Sequence, residues 1–419
     1  MNRRRFLAFA AAGALARPAQ PARAAAKGAR VVVIGGGYGG ATAAKYLKLW
    51  EPVIDVTLVE PGEAFVSCPL SNLVVGGHAS IADISRRYDG LATRGVRIVR
   101  DAASAIDARR RSVRLRGGAE LTYDRLVVSP GVEFILAEMA GYEAASASGR
   151  VLAAWKAGPE TLALRRQVEE MPDGGVFVLS IPLAPYRCPP GPYERACQVA
   201  SYFRKAKPRS KVLVFDANPD ITSKAPLFRR AWEELYRGMI DYQPNSLAVG
   251  VDAGSRTLKL ELDEAKGDVL NVIPPQRAAA IAGATGLITH NQRWCNVDWR
   301  TMESTAVPGV HVLGDATLAA PAMAKAGHMA NQHGKLCAAA IIDLLSDRAP
   351  NPDPVLASTC YSFVSESEAI HVASVHRWND REKTVTIAPG SNGISAARSE
   401  REATYAWSWA RNIWDDMLT

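Results

Sequence analysis

Arg30-Val31-Val32-Val33-Ile34-Gly35-Gly36-Gly37-Tyr38-Gly39-Gly40 decides the fold of this chain. An apolar strand runs straight into a glycine-rich turn, and a helix from Ala41 to Trp50 follows. Gly35, Gly37 and Gly40 fit G-x-G-x-x-G: a tight turn, close backbone approach to a pyrophosphate, and close helix–strand packing. The free N–H groups and positive dipole end of such a helix suit phosphates. The next strand, Asp55 to Val59, ends in Glu60, a carboxylate placed to accept hydrogen bonds from an adenosine ribose. Strand, glycines, helix and acid in this order predict a dinucleotide-binding βαβ unit.

A second strand–loop–helix–strand series lies further on. Val176-Phe177-Val178-Leu179-Ser180 leads into Arg187-Cys188-Pro189-Pro190-Gly191-Pro192-Tyr193-Glu194, and then come a helical run from Ala196 to Phe203 and a strand from Lys211 to Phe215. A nucleotide glycine motif is absent there, and a Cys and a Glu stand in its place. That loop suits sulfur chemistry better than NAD(P)H. A thiol just before a helix start, beside Arg187, is expected to have its thiolate stabilised by the dipole. Glu194 is a candidate for taking or returning a proton.

The 419 residues, 48% hydrophobic and 22% charged, provide two or three domains with real cores. Arg3, Arg4 and Arg5 precede a short apolar run from Phe6 to Ala16, and Ala24-Ala25-Ala26 offers a small-residue cleavage site before Lys27. Residues 1–26 therefore read as a twin-arginine-type signal, and the mature chain is expected in the periplasm. That segment holds five arginines and no acid, so +3 of the formal +8 remains beyond it. No basic run with interleaved aromatics points to nucleic acid, and no later run of 18 apolar residues predicts a membrane span. The six cysteines, at 68, 188, 197, 295, 337 and 360, form no C-x-x-C pair, so no metal site is expected. Cys197, Cys295 and Cys337 read as buried thiols. The absence of C-x-x-C-H means that this chain carries no haem.

Residues 95–128 read as a surface hairpin region with short strands at Arg97–Val99, Ser112–Leu115 and Leu126–Ser129. Residues 142–267 read as an inserted αβ unit, 317–345 as a small-residue helix, and the region after 350 as two strands, a loop near 389–398 and a Trp-rich last helix.

Thr305-Ala306-Val307-Pro308-Gly309-Val310-His311-Val312-Leu313-Gly314-Asp315-Ala316 resembles the second FAD signature of glutathione reductase-like flavoproteins. There the acid corresponding to Asp315 serves the ribityl chain. Tyr123-Asp124-Arg125-Leu126-Val127-Val128-Ser129-Pro130-Gly131 resembles the same family's return segment between its nucleotide domains. The fold class expected is α/β: two Rossmann-like dinucleotide-binding domains plus a C-terminal α+β interface domain. FAD is expected on 27–141 and 268–345, the glycine-poor second domain on 142–267, and a flavin-covering, partner-facing unit on 346–419.

In pyridine-nucleotide disulfide reductases the second redox cysteine follows the first by five residues. Here Cys68 is followed at that position by Leu73, so Cys68 has no local disulfide partner. It could bond to the flavin, act as a nucleophile, or be a structural thiol. VSCPLSNLVVGG, RCPPGPYERA, NVIPPQRA, RWCNVDWRTMEST, LGDA and STCYSF together resemble the flavoprotein subunit of flavocytochrome c sulfide dehydrogenase over essentially the whole mature chain. The resemblance implies FAD attached through a thioether at Cys68, although Pro69 stands where an aromatic residue is usual. It also implies a redox disulfide between Cys188 and Cys360, with Glu194 handling protons, Gly314 and Asp315 on the flavin, sulfide as substrate, and a c-type cytochrome subunit as electron acceptor. Competing readings are a sulfide:quinone oxidoreductase, an NAD(P)H-dependent reductase, and a non-enzymatic flavoprotein accessory of a sulfur-oxidation complex.

Overall fold

A computed structural model describes residues 28–419, so the expected signal at 1–26 lies outside the described residues. The first sheet is parallel and five-stranded. Its spatial order is Val310–Val312, Arg125–Val128, Arg30–Ile34, Asp55–Val59, Arg97–Val99. In chain order this is 5-4-1-2-3, with the direction of winding reversing beside Arg30–Ile34; ligands bind at such a switch point. Its central strands are near-continuous apolar runs because helices cover both faces of a parallel sheet. Val31, Val33, Leu58, Val127 and Val312 are almost fully buried.

Two strands expected in a surface hairpin region belong instead to this core. Arg97–Val99 and Arg125–Val128 pair in parallel with strands distant in sequence, and only residues 103–122 form an antiparallel three-stranded flap. Parallel pairing across a long connection leaves no local turn signal in the sequence, which accounts for the misreading.

The second sheet is also parallel, in the order Val151–Leu152, Val269–Val272, Val176–Ile181, Lys211–Asp216, Ile240–Gln243. It thus draws on Val269–Val272, just past the boundary expected at 267. The helix between its two central strands runs Gly191–Ala206 and begins earlier than expected, at the glycine after the prolines. Residues 317–326 are not helical; the small-residue helix is Gly327–Leu345. An antiparallel sheet of Val355–Phe363, Ala369–Asn379 and Thr384–Ile387, backed by the helix Glu400–Leu418, completes the fold.

Three interactions fasten the last helix, one to Tyr38 after the glycine turn and two to the helix Gly327–Leu345. Trp414 Nε1 donates to Tyr38 OH at 3.2 Å. Asp416 accepts from Asn331 Nδ2 at 2.8 Å and pairs with Lys335 Nζ at 2.9 Å.

The glycine turn itself has no spare volume. A Cβ at Gly40 would sit 1.9 Å from the Gly35 carbonyl oxygen, and one at Gly35 would sit 2.3 Å from the Ser129 carbonyl oxygen. Both contacts are with backbone, so neither relaxes cheaply. Gly40→Ala is expected to yield protein that fails to fold or to retain flavin, read by soluble yield and by the visible flavin spectrum. A normal flavin spectrum would remove the close-packing argument.

Buried His311 on Val310–Val312 contacts the Thr301 carbonyl through Nδ1 at 2.9 Å, and its Nε2 has no partner. Burial lowers its pKa from 6.5 to about 4. The unfolded chain therefore takes up more protons between those values, so stability is full above pH 6.5 and is lost as pH falls toward 4. The thermal midpoint of the natural protein should fall more steeply over that range than that of His311→Leu; parallel curves would refute the assignment.

Candidate functional site

One cavity of about 710 Å³ joins the three parts of the fold. Its wall carries Gly35, Gly37, Glu60, Cys68, Cys188, Glu194, Gly314, Asp315 and Cys360, which brings together nine of the ten residues singled out in the sequence. The tenth, Gly40, lies in the helix behind, where it sets the packing of the turn.

At one end, Glu60 is braced by backbone. Its Oε2 accepts from Gly36 N–H at 2.7 Å and its Oε1 from Gly62 N–H at 2.8 Å. At the other end, Asp315 follows the strand Val310–Val312, and its buried Oδ1 has no partner within the protein. An unpaired buried carboxylate oxygen is costly unless a ligand supplies a donor. A Cβ at Gly37 would meet nothing within 4 Å, so the turn opens onto the cavity. The turn and helix start for a pyrophosphate, a fixed acid for a ribose and a donor-seeking acid for a ribityl hydroxyl fit FAD. His333 was missed in the sequence. Its Nδ1 accepts from Gly314 N–H at 3.2 Å, which holds the turn before Asp315, and burial lowers its pKa to about 3, so the ring stays neutral.

The sulfur end is assembled from distant segments. Cys68 Sγ accepts from Ala157 N–H at 3.4 Å. Cys188 N–H donates to the Lys325 carbonyl at 2.8 Å. Cys188 and Cys360 are both free thiols here, half-buried and facing the same cavity. Cys188 lies just before the helix, as expected, but three residues ahead of its start rather than against it. It has φ 55°, a left-handed conformation costing about 1–2 kcal/mol for a side-chain-bearing residue, and the helix begins only at Gly191. Its thiol is not lowered as expected: burial pushes it up, and neighbouring Cys360 and Glu194 add to this more than Arg187 and Lys224 offset it. Desolvation outweighs the dipole where the sulfur is shielded from water. The Cys360 thiol is also raised by burial, with Lys224 opposing. Cys197, Cys295 and Cys337 are buried away from the cavity wall, as expected, with Cys197 accepting from Trp232 Nε1 at 3.1 Å.

Glu194 is buried, with 5% of its surface exposed. Its Oε1 accepts from Phe363 N–H at 2.7 Å and its Oε2 from Asn72 Nδ2 at 2.8 Å. Burial raises its pKa despite these donors, so it holds a proton more readily than an ordinary glutamate. Asn72, also missed in the sequence, accepts from Arg195 Nε at 3.0 Å through its other amide atom. Arg195, 1% exposed, is otherwise satisfied by the carbonyls of Ala153 and Ala154 and by Asn271 Oδ1. Asn72→Leu would leave a buried carboxylate oxygen and a buried guanidinium N–H unpaired. It is expected to cost on the order of 3 kcal/mol, read as a drop of several degrees in the thermal midpoint. An unchanged midpoint would show that water replaces the amide.

Three family models match the chain. They are the central region of the sulfide dehydrogenase [flavocytochrome c] flavoprotein chain over residues 161–274, the flavin-binding region of flavocytochrome c sulphide dehydrogenase over 352–418, and pyridine nucleotide-disulphide oxidoreductase over 29–158. The mitochondrial sulfide:quinone oxidoreductase of Dictyostelium discoideum is 23% identical over 304 residues, covering 69% of this chain. The chain spans 65% of the length of that relative and of its Mus musculus counterpart. The structure is similar to that of Aquifex aeolicus sulfide:quinone oxidoreductase, with TM-score 0.75, 17% identity and coverage of 93% of this chain and 91% of that one. It is also similar to putidaredoxin reductase in its complex with putidaredoxin, with TM-score 0.67, 17% identity and 93% coverage of each chain. These likenesses show the fold. The sulfide dehydrogenase [flavocytochrome c] flavoprotein chain of Chlorobaculum thiosulfatiphilum is 67% identical over 45 residues, which is 11% of this chain and 94% of that sequence. With two of its own family models also matching, the chain belongs to the family of flavocytochrome c sulfide dehydrogenase flavoprotein chains.

Proposed function

We propose that this protein oxidises sulfide at a Cys188–Cys360 redox pair, with FAD in the adjoining cavity, and delivers the electrons to a c-type cytochrome on another chain. The observation that carries the reading is one cavity holding three free cysteines, a buried proton-holding glutamate and the residues that fit FAD. FAD, when bound, takes two electrons and gives them up singly, which suits a haem acceptor. The chain's own residues do the rest. Cys188 and Cys360, joined as a disulfide, are opened by hydrosulfide through thiol–disulfide exchange. Glu194 holds the proton exchanged with substrate sulfur. Cys68 faces the cavity and carries the covalent link to the flavin, and Tyr361 and Trp409 close the wall from the C-terminal unit. Export through the segment at 1–26 would place this chemistry in the periplasm, with the flavin loaded before a twin-arginine passage.

NAD(P)H is disfavoured as the electron source by the second sheet. Asp216 ends the strand Lys211–Asp216, where a nucleotide ribose would find its acid. Its Oδ2 already accepts from Tyr193 OH at 2.7 Å and Tyr242 OH at 2.9 Å. The likeness to sulfide:quinone oxidoreductases keeps a quinone as the second candidate acceptor.

Denaturing mass spectrometry should find flavin mass on the Cys68 peptide, and non-reducing peptide mapping should find Cys188 joined to Cys360; a Cys188–Cys197 link would sink the disulfide assignment. Sulfide should bleach the flavin in an anaerobic stopped flow, and cytochrome c should reoxidise it. Cys360→Ser should abolish the bleaching, and Glu194→Gln should slow it about 10²-fold or more. Faster bleaching by NADH, or quinone reduction outpacing cytochrome reduction, would overturn the reading.

A further inference from the structure

Lys224 has no role in the chemistry described above, yet it is a buried cation beside the redox pair. It is 5% exposed and has φ 57° immediately before the helix Ala225–Leu235. Its Nζ donates to the Cys360 carbonyl at 3.1 Å and to Ser362 Oγ at 2.8 Å. Cys360 and Ser362 are two residues apart on one strand, so their side chains leave on the same face. The ammonium is therefore anchored on the Cys360 thiol's side of the sheet. Both of these partners, a carbonyl and a hydroxyl, are uncharged, so its hydrogen bonds leave the charge unneutralised. The ionisable groups facing it are Cys360 from its strand, Glu194 from the helix Gly191–Ala206, Cys188 from the preceding loop and Glu402 from the last helix. The other nearby cation, Arg187, interacts chiefly with Cys68 and Asp315.

We propose that Lys224 is a positioning residue that makes Cys360 the leaving thiolate, so that sulfide sulfur is added to Cys188. In an exchange the sulfur whose thiolate is better stabilised departs, and its partner is attacked. The step is HS⁻ + Cys188–S–S–Cys360 → Cys188–S–SH + ⁻S–Cys360. One S–S bond breaks, one forms, and no electrons leave the sulfur atoms at this stage. The order of the charges around the two thiols is in keeping with the geometry: Lys224 leads the influences that lower the Cys360 thiol, whereas at Cys188 Lys224 ranks behind Arg187. The inference rests on the sulfide reading above.

Two measurements on the full-length flavin-loaded protein test it. In the first, oxidised protein is mixed anaerobically with one equivalent of sodium sulfide, quenched with iodoacetamide and mapped. A persulfide on the Cys188 peptide is expected, and a persulfide on Cys360 would overturn the proposal without any variant being needed. In the second, fully reduced protein is alkylated across pH. Lys224→Gln keeps hydrogen-bonding capacity without charge and should move the Cys360 midpoint up by about one pH unit, a tenfold loss of thiolate. It should leave Cys188 less affected, and Lys224→Arg should restore the natural profile. Equal movement at both cysteines, or none, would overturn the proposal. If sulfide fails to open the disulfide, the functional reading falls, while the alkylation profiles still decide the role of Lys224.

Discussion

The structure of the site depends on the buried carboxylate of Glu194. Asn72, which donates to one oxygen, follows Cys68 by four residues, and Phe363, which donates to the other, follows Cys360 by three. Glu194 itself follows Cys188 by six residues. One side chain thus ties together the three segments that carry the cavity-facing sulfurs, and each segment comes from a different part of the fold. A carboxylate in this position must be satisfied on both oxygens or it destabilises the core. The requirement that fixes the geometry also raises the glutamate's pKa, so bracing and proton-holding have one cause.

Burial has a parallel effect on the thiols. Cys188 is shielded enough that its thiolate is disfavoured. A pair of such thiols is a poor standing nucleophile; in the proposed cycle it works through a disulfide, and the incoming hydrosulfide would bring the negative charge. Cationic groups then matter at the moment of exchange. Arg187 serves the Cys68 end, and Lys224 serves the Cys360 end. The left-handed backbone at Cys188 and Lys224 shows that both are held against their intrinsic preferences by surrounding structure, a common condition at functional sites.

The sequence showed the dinucleotide end of the site almost completely, because that chemistry is local. Gly35, Gly37, Gly40 and Glu60 fall within two strands and a helix, and Gly314–Asp315 ends a single strand. Asn72, Lys224 and His333 left no such trace. Each is defined by a partner far away in the chain, and each is of a type that is common on any surface. The strands at 97–99 and 125–128 were misassigned for the same reason: three- and four-residue parallel strands carry no turn that names their neighbour. The cysteine roles came through likeness to a family, since spacing alone gave no pairing over 172 residues.

The second sheet keeps the strand order of a nucleotide-binding unit while its acid is satisfied from within. Its strands retain the parallel order, and Asp216 still ends the strand where a ribose would bind. Tyr193, two residues beyond Gly191, and Tyr242 on the neighbouring strand supply the hydroxyls that a ribose would have supplied. The tyrosine rings also pack with Phe228 and Trp232, so the space is filled with apolar surface as well as hydrogen bonds. An acid satisfied from within no longer selects for a ligand from outside. The helix start that would have faced a pyrophosphate is then free to present Cys188 and Glu194 to the cavity, and under the proposed function the same scaffold would change from an entry point for hydride to one for sulfur.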